Sequence, residues 1–189
     1  MRENRAQMFN KKADKPKYKA EKIIEKLALK PGQIIADIGP GGGYFTYKFA
    51  SIVEKEGTVY AVDTNEEFLE FIKKQAKEKG LDNIITVHSA PEQPDLPKNT
   101  FDYIFMRNMT HHVSNRIVFF KELKKALKSD GKVVIIEYDD GGGFFSFHKL
   151  HRHFVSKQTL IDEMKEAGYK IHKSFDFLTE QSFTIFAIK

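Results

Sequence analysis

Residues 34–45 read Ile34-Ile35-Ala36-Asp37-Ile38-Gly39-Pro40-Gly41-Gly42-Gly43-Tyr44-Phe45. Four apolar residues flank one acid, and glycines then fall at the alternate positions 39, 41 and 43. An apolar run of this length predicts a buried parallel strand. Beyond it, Phe45, Phe49, Ile52 and Val53 recur at i, i+4, i+7 and i+8, one face of a helix. The glycines therefore occupy a tight strand-to-helix turn. Glycine suits that turn because its backbone angles are barred to residues with a Cβ, and because a ligand must come close to the main chain. The helix start adds free N–H groups and a positive dipole end.

Two kinds of cofactor use such a turn, and spacing separates them. The dinucleotide pattern G-x-G-x-x-G needs a third glycine at 44, where this chain has Tyr44. The pattern present is Asp-x-Gly-x-Gly-x-Gly, starting at Asp37. It resembles the first motif of the class I S-adenosylmethionine-dependent methyltransferases. The resemblance extends from about residue 20 to the end, with residues 1–19 left as an N-terminal arm.

Outward from the turn, elements alternate. An amphipathic stripe of Ala20, Ile23, Ile24 and Leu27 precedes Pro31-Gly32, which stops that helix. Thr58–Val62 is a second strand ending at Asp63, and Thr64-x-x-Glu67 reads as a capping box for a helix with the stripe Phe68, Phe71, Ile72 and Ala76. Ile84–His88 and Phe101–Met106 are the third and fourth strands, and Lys132–Tyr138 is the fifth. A helix with Leu160, Ile161, Met164 and Ala167 follows, then two closing strands, 171–177 and 183–188. Strand–helix alternation implies right-handed crossovers and a parallel sheet. The closing pair is joined too tightly for a crossover, so the last strand should run antiparallel. The expected fold is α/β: a Rossmann-like, seven-stranded mixed sheet, mostly parallel, with helices on both faces. That is also what the resemblance implies.

At 189 residues the chain suits a single core. It has no cysteine, which excludes disulfides, thiolate metal sites and cysteine nucleophiles. The N-terminus leads into no apolar stretch, so neither a signal peptide nor a spanning helix is expected and the default location is cytoplasmic. The net charge is +5, and Lys11, Lys12, Lys15, Lys17, Lys19 and Lys22 crowd the first segment, an arm or short helix whose apolar points are Met8, Phe9 and Tyr18. Aromatics are sparse among these lysines, so a solvated face is preferred to a nucleic-acid surface.

Candidate site residues fall at strand ends, where open parallel sheets bind ligands. Asp63 is placed to accept both ribose hydroxyls of the cofactor, and its alternative role is a helix-start acid favoured by the dipole. Thr64 lies beside it. The resemblance places Ser89 and Ala90 against adenine, although the family commonly has an acid or amide at the serine position. Asp37 either orients the turn and the cofactor's ammonium or is structural. With Gly39, Gly41 and Gly43, these residues form the cofactor set for S-adenosylmethionine. Arg107 completes the set; with Asn108 it also begins the segment expected to face the transferred methyl and the acceptor, and this pair resembles the Arg-Asn after the fourth strand of quinone-biosynthesis and related small-molecule methyltransferases. The Asn/Asp-Pro-Pro-Tyr motif of base and protein-amide N-methyltransferases is missing.

Sulfonium methyl transfer relies mainly on positioning. A base helps where an acceptor hydroxyl must lose its proton, and histidine suits that near neutrality. His111 and His112 are the candidates, His111 being nearer the strand end; the plain alternative is one packed imidazole and one exposed. His148, His151 and His153 could meet at a metal, but Phe144, Phe145 and Phe147 beside them favour an apolar lid hinged at Gly141–Gly143. The expected activity is methyl transfer from S-adenosylmethionine to a small molecule, without a metal. An RNA or protein methyltransferase and a non-catalytic cofactor-binding module are the rival readings.

Overall fold

The computed structural model describes residues 3–139 and 154–189. The chain divides into two compact units, Met1–Ala90 and Pro91–Lys189.

The first unit runs α1 (Glu3–Ala13), a 3-10 turn (Pro16–Tyr18), α2 (Ala20–Leu27), β1 (Ile34–Ile38), α3 (Tyr44–Val53), β2 (Thr58–Asp63), α4 (Glu66–Glu78) and β3 (Ile84–His88). β1 pairs with β2, and β2 with β3, both in parallel. The stripe on α2 is buried at all four expected positions. Ile23, Ile24 and Leu27 each contribute about 1.5–3 kcal/mol when fully removed from water. Two local expectations are corrected. Asn65, not Thr64, caps α4, its side chain accepting the Glu67 N–H at 3.0 Å. Leu69 replaces Phe68 in the buried stripe of α4. Phe68 instead meets Phe9 edge-on, with ring centroids 5.7 Å apart.

The second unit runs β4 (Phe101–Arg107), a 3-10 turn (Thr110–His112), α5 (Arg116–Ala126), β5 (Leu127–Tyr138), α6 (Lys157–Glu166), β6 (Tyr169–Phe175) and β7 (Gln181–Ile188). β4 and β5 are parallel, whereas β7 is antiparallel to both β5 and β6. β5 begins at Leu127, earlier than its apolar run suggests. Leu127 pairs with Phe101 before a register irregularity, and regular pairing resumes at Tyr103 and Lys132. The seven strands stand in the order β3-β2-β1-β4-β5-β7-β6, so the fold is the expected mixed, mostly parallel sheet. α3 packs on β1 and β2, α4 on β2 and β3, and α6 on β6.

Candidate functional site

In the first unit the site is the turn between β1 and α3. Gly39, Gly41 and Gly43 all have positive φ (72°, 58° and 83°), which is why these alternate positions need glycine. Gly39 donates its N–H to the Val62 carbonyl at 2.9 Å, tying the turn to β2. Gly42 lacks positive φ and is required for space, because a Cβ there would run into the Ala6 carbonyl oxygen and the Asn10 side chain. At Gly43 a Cβ would come within 2.8 Å of Ile72 and Tyr47.

Asp37 is 3% exposed and accepts the Thr46 hydroxyl at 2.6 Å, across the start of α3. That contact fixes where the helix leaves the strand. Asp63 is half-buried at the end of β2, and its carboxylate accepts the Asn65 N–H at 2.9 Å. Burial pushes the Asp63 carboxyl above the ordinary range, opposed by N–H groups of Asn65, Gly41 and Thr64 and by the nearby His88. Ser89 is 8% exposed and donates its N–H to the Asp63 carbonyl at 3.0 Å; Thr64 and Ala90 are exposed. A cradle with no room for a Cβ, beside an acid that gathers backbone donors, fits a nucleoside with an amino-acid tail.

Helix α1 borders this turn, a relation the sequence reading lacked. Its inner face is Ala6, Phe9, Asn10 and Ala13. Ala6 and Ala13 are buried, and Phe9 lies where a Cβ on Gly41 would sit at 3.4 Å. Asn10 donates its side-chain N–H to the Gly42 carbonyl at 2.7 Å, and Tyr44 donates its hydroxyl to Asp14 at 2.9 Å. The i, i+3, i+4, i+7 spacing was present in the sequence, but two alanines and an asparagine make a faint hydrophobic signal.

In the second unit the focus is Glu137, fully buried near the end of β5. Its Oε2 accepts the Thr110 hydroxyl at 2.6 Å and the His111 backbone N–H at 3.3 Å. Its Oε1 lies 3.0 Å from His111 Nδ1 and accepts the Tyr138 N–H at 2.9 Å. A buried carboxylate makes Nδ1 the donor, which leaves the lone pair of His111 on Nε2. The His111 side chain is 7% exposed. His112 is exposed, its ring centroid 4.1 Å from that of His111. The two histidines therefore have different surroundings: one is gripped by an acid and the other faces solvent.

Arg107 closes β4, and Asn108 follows at φ 53°, a left-handed conformation that asparagine tolerates better than most residues. Gln181, buried at the start of β7, donates its amide to the Asn108 side-chain oxygen. Glu92 accepts the N–H groups of Ser114 (2.7 Å) and Asn115 (3.4 Å), the first of which chiefly holds its carboxyl below the usual range. Glu137 and Gln181 were not anticipated as site residues. A lone acid within the apolar run Val133–Tyr138 was the available signal for Glu137.

Among the described residues no group of three or more histidines and acids is placed to hold a metal. His148, His151 and His153, the three phenylalanines beside them and the Gly141–Gly143 hinge lie outside the described residues.

Residues 36–135 match the family described as methyltransferase domain, a span from the glycine turn to within two residues of Glu137. A ubiquinone/menaquinone biosynthesis C-methyltransferase UbiE from Shewanella sp. (strain W3-18-1) is 28% identical over 160 residues, which is 83% of this chain and 62% of the relative. The corresponding Shewanella frigidimarina protein is 28% identical over 116 residues, 61% of this chain and 46% of that one. The chain thus spans about half to three-fifths of the length of these relatives. Among solved structures, a SAM dependent methyltransferase from Aquifex aeolicus superposes with a TM-score of 0.84 at 25% identity, covering 96% of this chain and 98% of the other.

Proposed function

Since the chain belongs to the class I S-adenosylmethionine-dependent methyltransferases, we propose that it methylates a small molecule and that His111, oriented by Glu137, removes the proton released. The carrying observation is the buried Glu137 carboxylate on His111 Nδ1. The relatives named UbiE support a small-molecule acceptor.

When bound, the cofactor supplies an electrophilic methyl on a sulfonium sulfur. The turn at Gly39–Gly43 and the acid Asp63 hold its nucleoside and amino-acid parts: Asp63 accepts the ribose hydroxyls, and Ser89 and Ala90 border the base. Asp37 acts indirectly, through Thr46, by setting the path of the turn. Arg107 and Asn108 stand at the end of β4 to orient the acceptor.

Methylating a hydroxyl, or a carbon of a phenol-type ring, releases one proton. His111 Nε2 takes it, and the resulting imidazolium is stabilised because Nδ1–H already donates to Glu137. Glu137 is in this reading a positioning residue, holding the tautomer and, through Thr110, the turn that carries the imidazole. The catalytic role goes to His111 because Glu137 meets its Nδ1 at 3.0 Å and its side chain is 7% exposed, whereas His112 is exposed.

The test is methyl incorporation from labelled cofactor across a panel of phenols, quinols and small amines, for the wild type and His111→Gln. Turnover of a phenolic acceptor that falls about 100-fold or more in the variant, with cofactor affinity retained, supports the reading. Unchanged turnover removes His111 from the mechanism. Methylated RNA in place of any small molecule would overturn the acceptor class.

A further inference from the structure

The net charge of this protein is gathered in one place. Eight of its 31 Lys and Arg residues and three of its 26 Asp and Glu residues lie among residues 1–22. That segment carries +5, the balance of the whole chain, and the remaining 23 of each sign cancel.

Helix α1 sorts this charge to its outer side. Ala6, Phe9, Asn10 and Ala13 face the glycine turn, whereas Met8, Lys11 and Lys12 follow an i, i+3, i+4 spacing on another face, and Lys15 comes just past the end of the helix. Gln7, Met8, Lys11, Lys12, Lys15, Lys17 and Tyr18 together line a surface hollow of about 640 Å³. Among the described residues, four lysines and no acid line it. Met8 is 53% exposed, a large apolar side chain in the midst of the lysines.

We propose that this face docks the protein on an anionic phospholipid surface, with the lysines on headgroup phosphates and Met8 entering the interface. Three observations favour lipid over nucleic acid. The lined cations are all lysines, compact charges without the planar fork with which arginine reads phosphates and bases. The segment's aromatic rings offer no stacking platform: Tyr18 is 4% exposed with Lys17 Nζ 4.9 Å from its ring centroid, and Phe9 packs on Gly41 and Phe68. An exposed apolar residue among cations suits a headgroup–acyl boundary. Among the described residues no helix is long and apolar enough to cross a membrane, so the association is peripheral. Because α1 contacts the glycine turn with its other face, docking sets the cofactor turn one helix diameter from the lipid.

The full chain is mixed with vesicles of phosphatidylglycerol or of phosphatidylcholine and sedimented across a salt series. Binding to phosphatidylglycerol alone, weakening as salt rises, is expected. Each lysine contributes roughly a fivefold factor near such a surface. The double variant Lys11→Gln/Lys15→Gln should therefore lose roughly 25-fold in vesicle affinity. Lys170→Gln/Lys173→Gln removes equal charge from the exposed part of β6 and should leave binding unchanged. Unaltered thermal melting in both variants confirms that the fold is kept. Equal losses in the two variants would assign the effect to net charge. Equal binding to both lipids, no binding to either, or tighter binding of an RNA oligonucleotide at matched salt would each overturn the proposal.

Discussion

Replacing Glu137 with glutamine keeps the volume of a fully buried side chain and changes only its hydrogen-bond capacity. The carboxylate receives the Thr110 hydroxyl and the His111 N–H on one oxygen, and the His111 ring and the Tyr138 N–H on the other. All four partners donate in the proposed tautomer. An amide accepts at one end only, so its NH2 group confronts either the His111 ring and the Tyr138 N–H, or the His111 backbone N–H and the Thr110 hydroxyl, and the hydroxyl can turn to accept. Hydrogen bonds to charged groups contribute about 1.5–3 kcal/mol each, so losing two costs about 3–6 kcal/mol. Relaxation is possible if the His111 proton moves to Nε2 and Nδ1 accepts from the amide, leaving one clash, with Tyr138, and a loss of about 1.5–3 kcal/mol. That rescue removes the Nε2 lone pair to which the proposed mechanism assigns the proton. Either relaxation leaves one clash, so urea unfolding should show destabilisation of at least about 1.5 kcal/mol, and nitrogen NMR of the imidazole distinguishes an inverted His111 tautomer from a turned Thr110 hydroxyl. A stability change within about 0.5 kcal/mol, with wild-type tautomer and turnover, would refute the role assigned to Glu137.

Asp63→Asn should weaken cofactor binding by about 1.5–3 kcal/mol in calorimetry, and its stability effect should depend on pH. The folded carboxyl of Asp63 lies above its ordinary 3.8 because of burial. A raised folded value favours the protonated form, so its contribution is fully present below 3.8 and is lost as pH rises through the folded value. In the absence of cofactor the variant should gain on the wild type across that window; a gain on going below 3.8 would reverse the sign. Gly42→Ala should destabilise by about 1–3 kcal/mol and expose α1 to proteolysis, since the new methyl meets the Ala6 carbonyl and Asn10. Unchanged protection of α1 would show that the helix is not held by that contact.

The glycine turn of the candidate site was readable in the sequence because its determinants are local. Asp37, the alternate glycines and Asp63 lie within one strand–turn–helix–strand unit, and positive φ at Gly39, Gly41 and Gly43 follows from the same turn. The antiparallel pairing of β6 and β7 was readable for a similar reason, the shortness of the connection between them. What escaped depends on contacts far apart in the chain. Glu137 meets His111 across 26 positions, Asn10 meets Gly42 across 32, and neither pair has a spacing rule. The Thr64 error was one of competing caps. Thr64 and Asn65 are both good N-cap residues, and the helix starts at Glu66 because the Asn65 carbonyl and side chain serve its first turn. Phe68 left the expected stripe because Phe9 of α1, a segment with little periodicity, offered it another partner.

Calorimetry of the full chain with S-adenosylmethionine, S-adenosylhomocysteine and NAD tests the central claim most directly. Binding of the first two and not of NAD is predicted, because Tyr44 stands where the dinucleotide turn needs glycine and Asp63 closes β2 beside Gly41. Binding of NAD without either sulfur-containing nucleoside would contradict it.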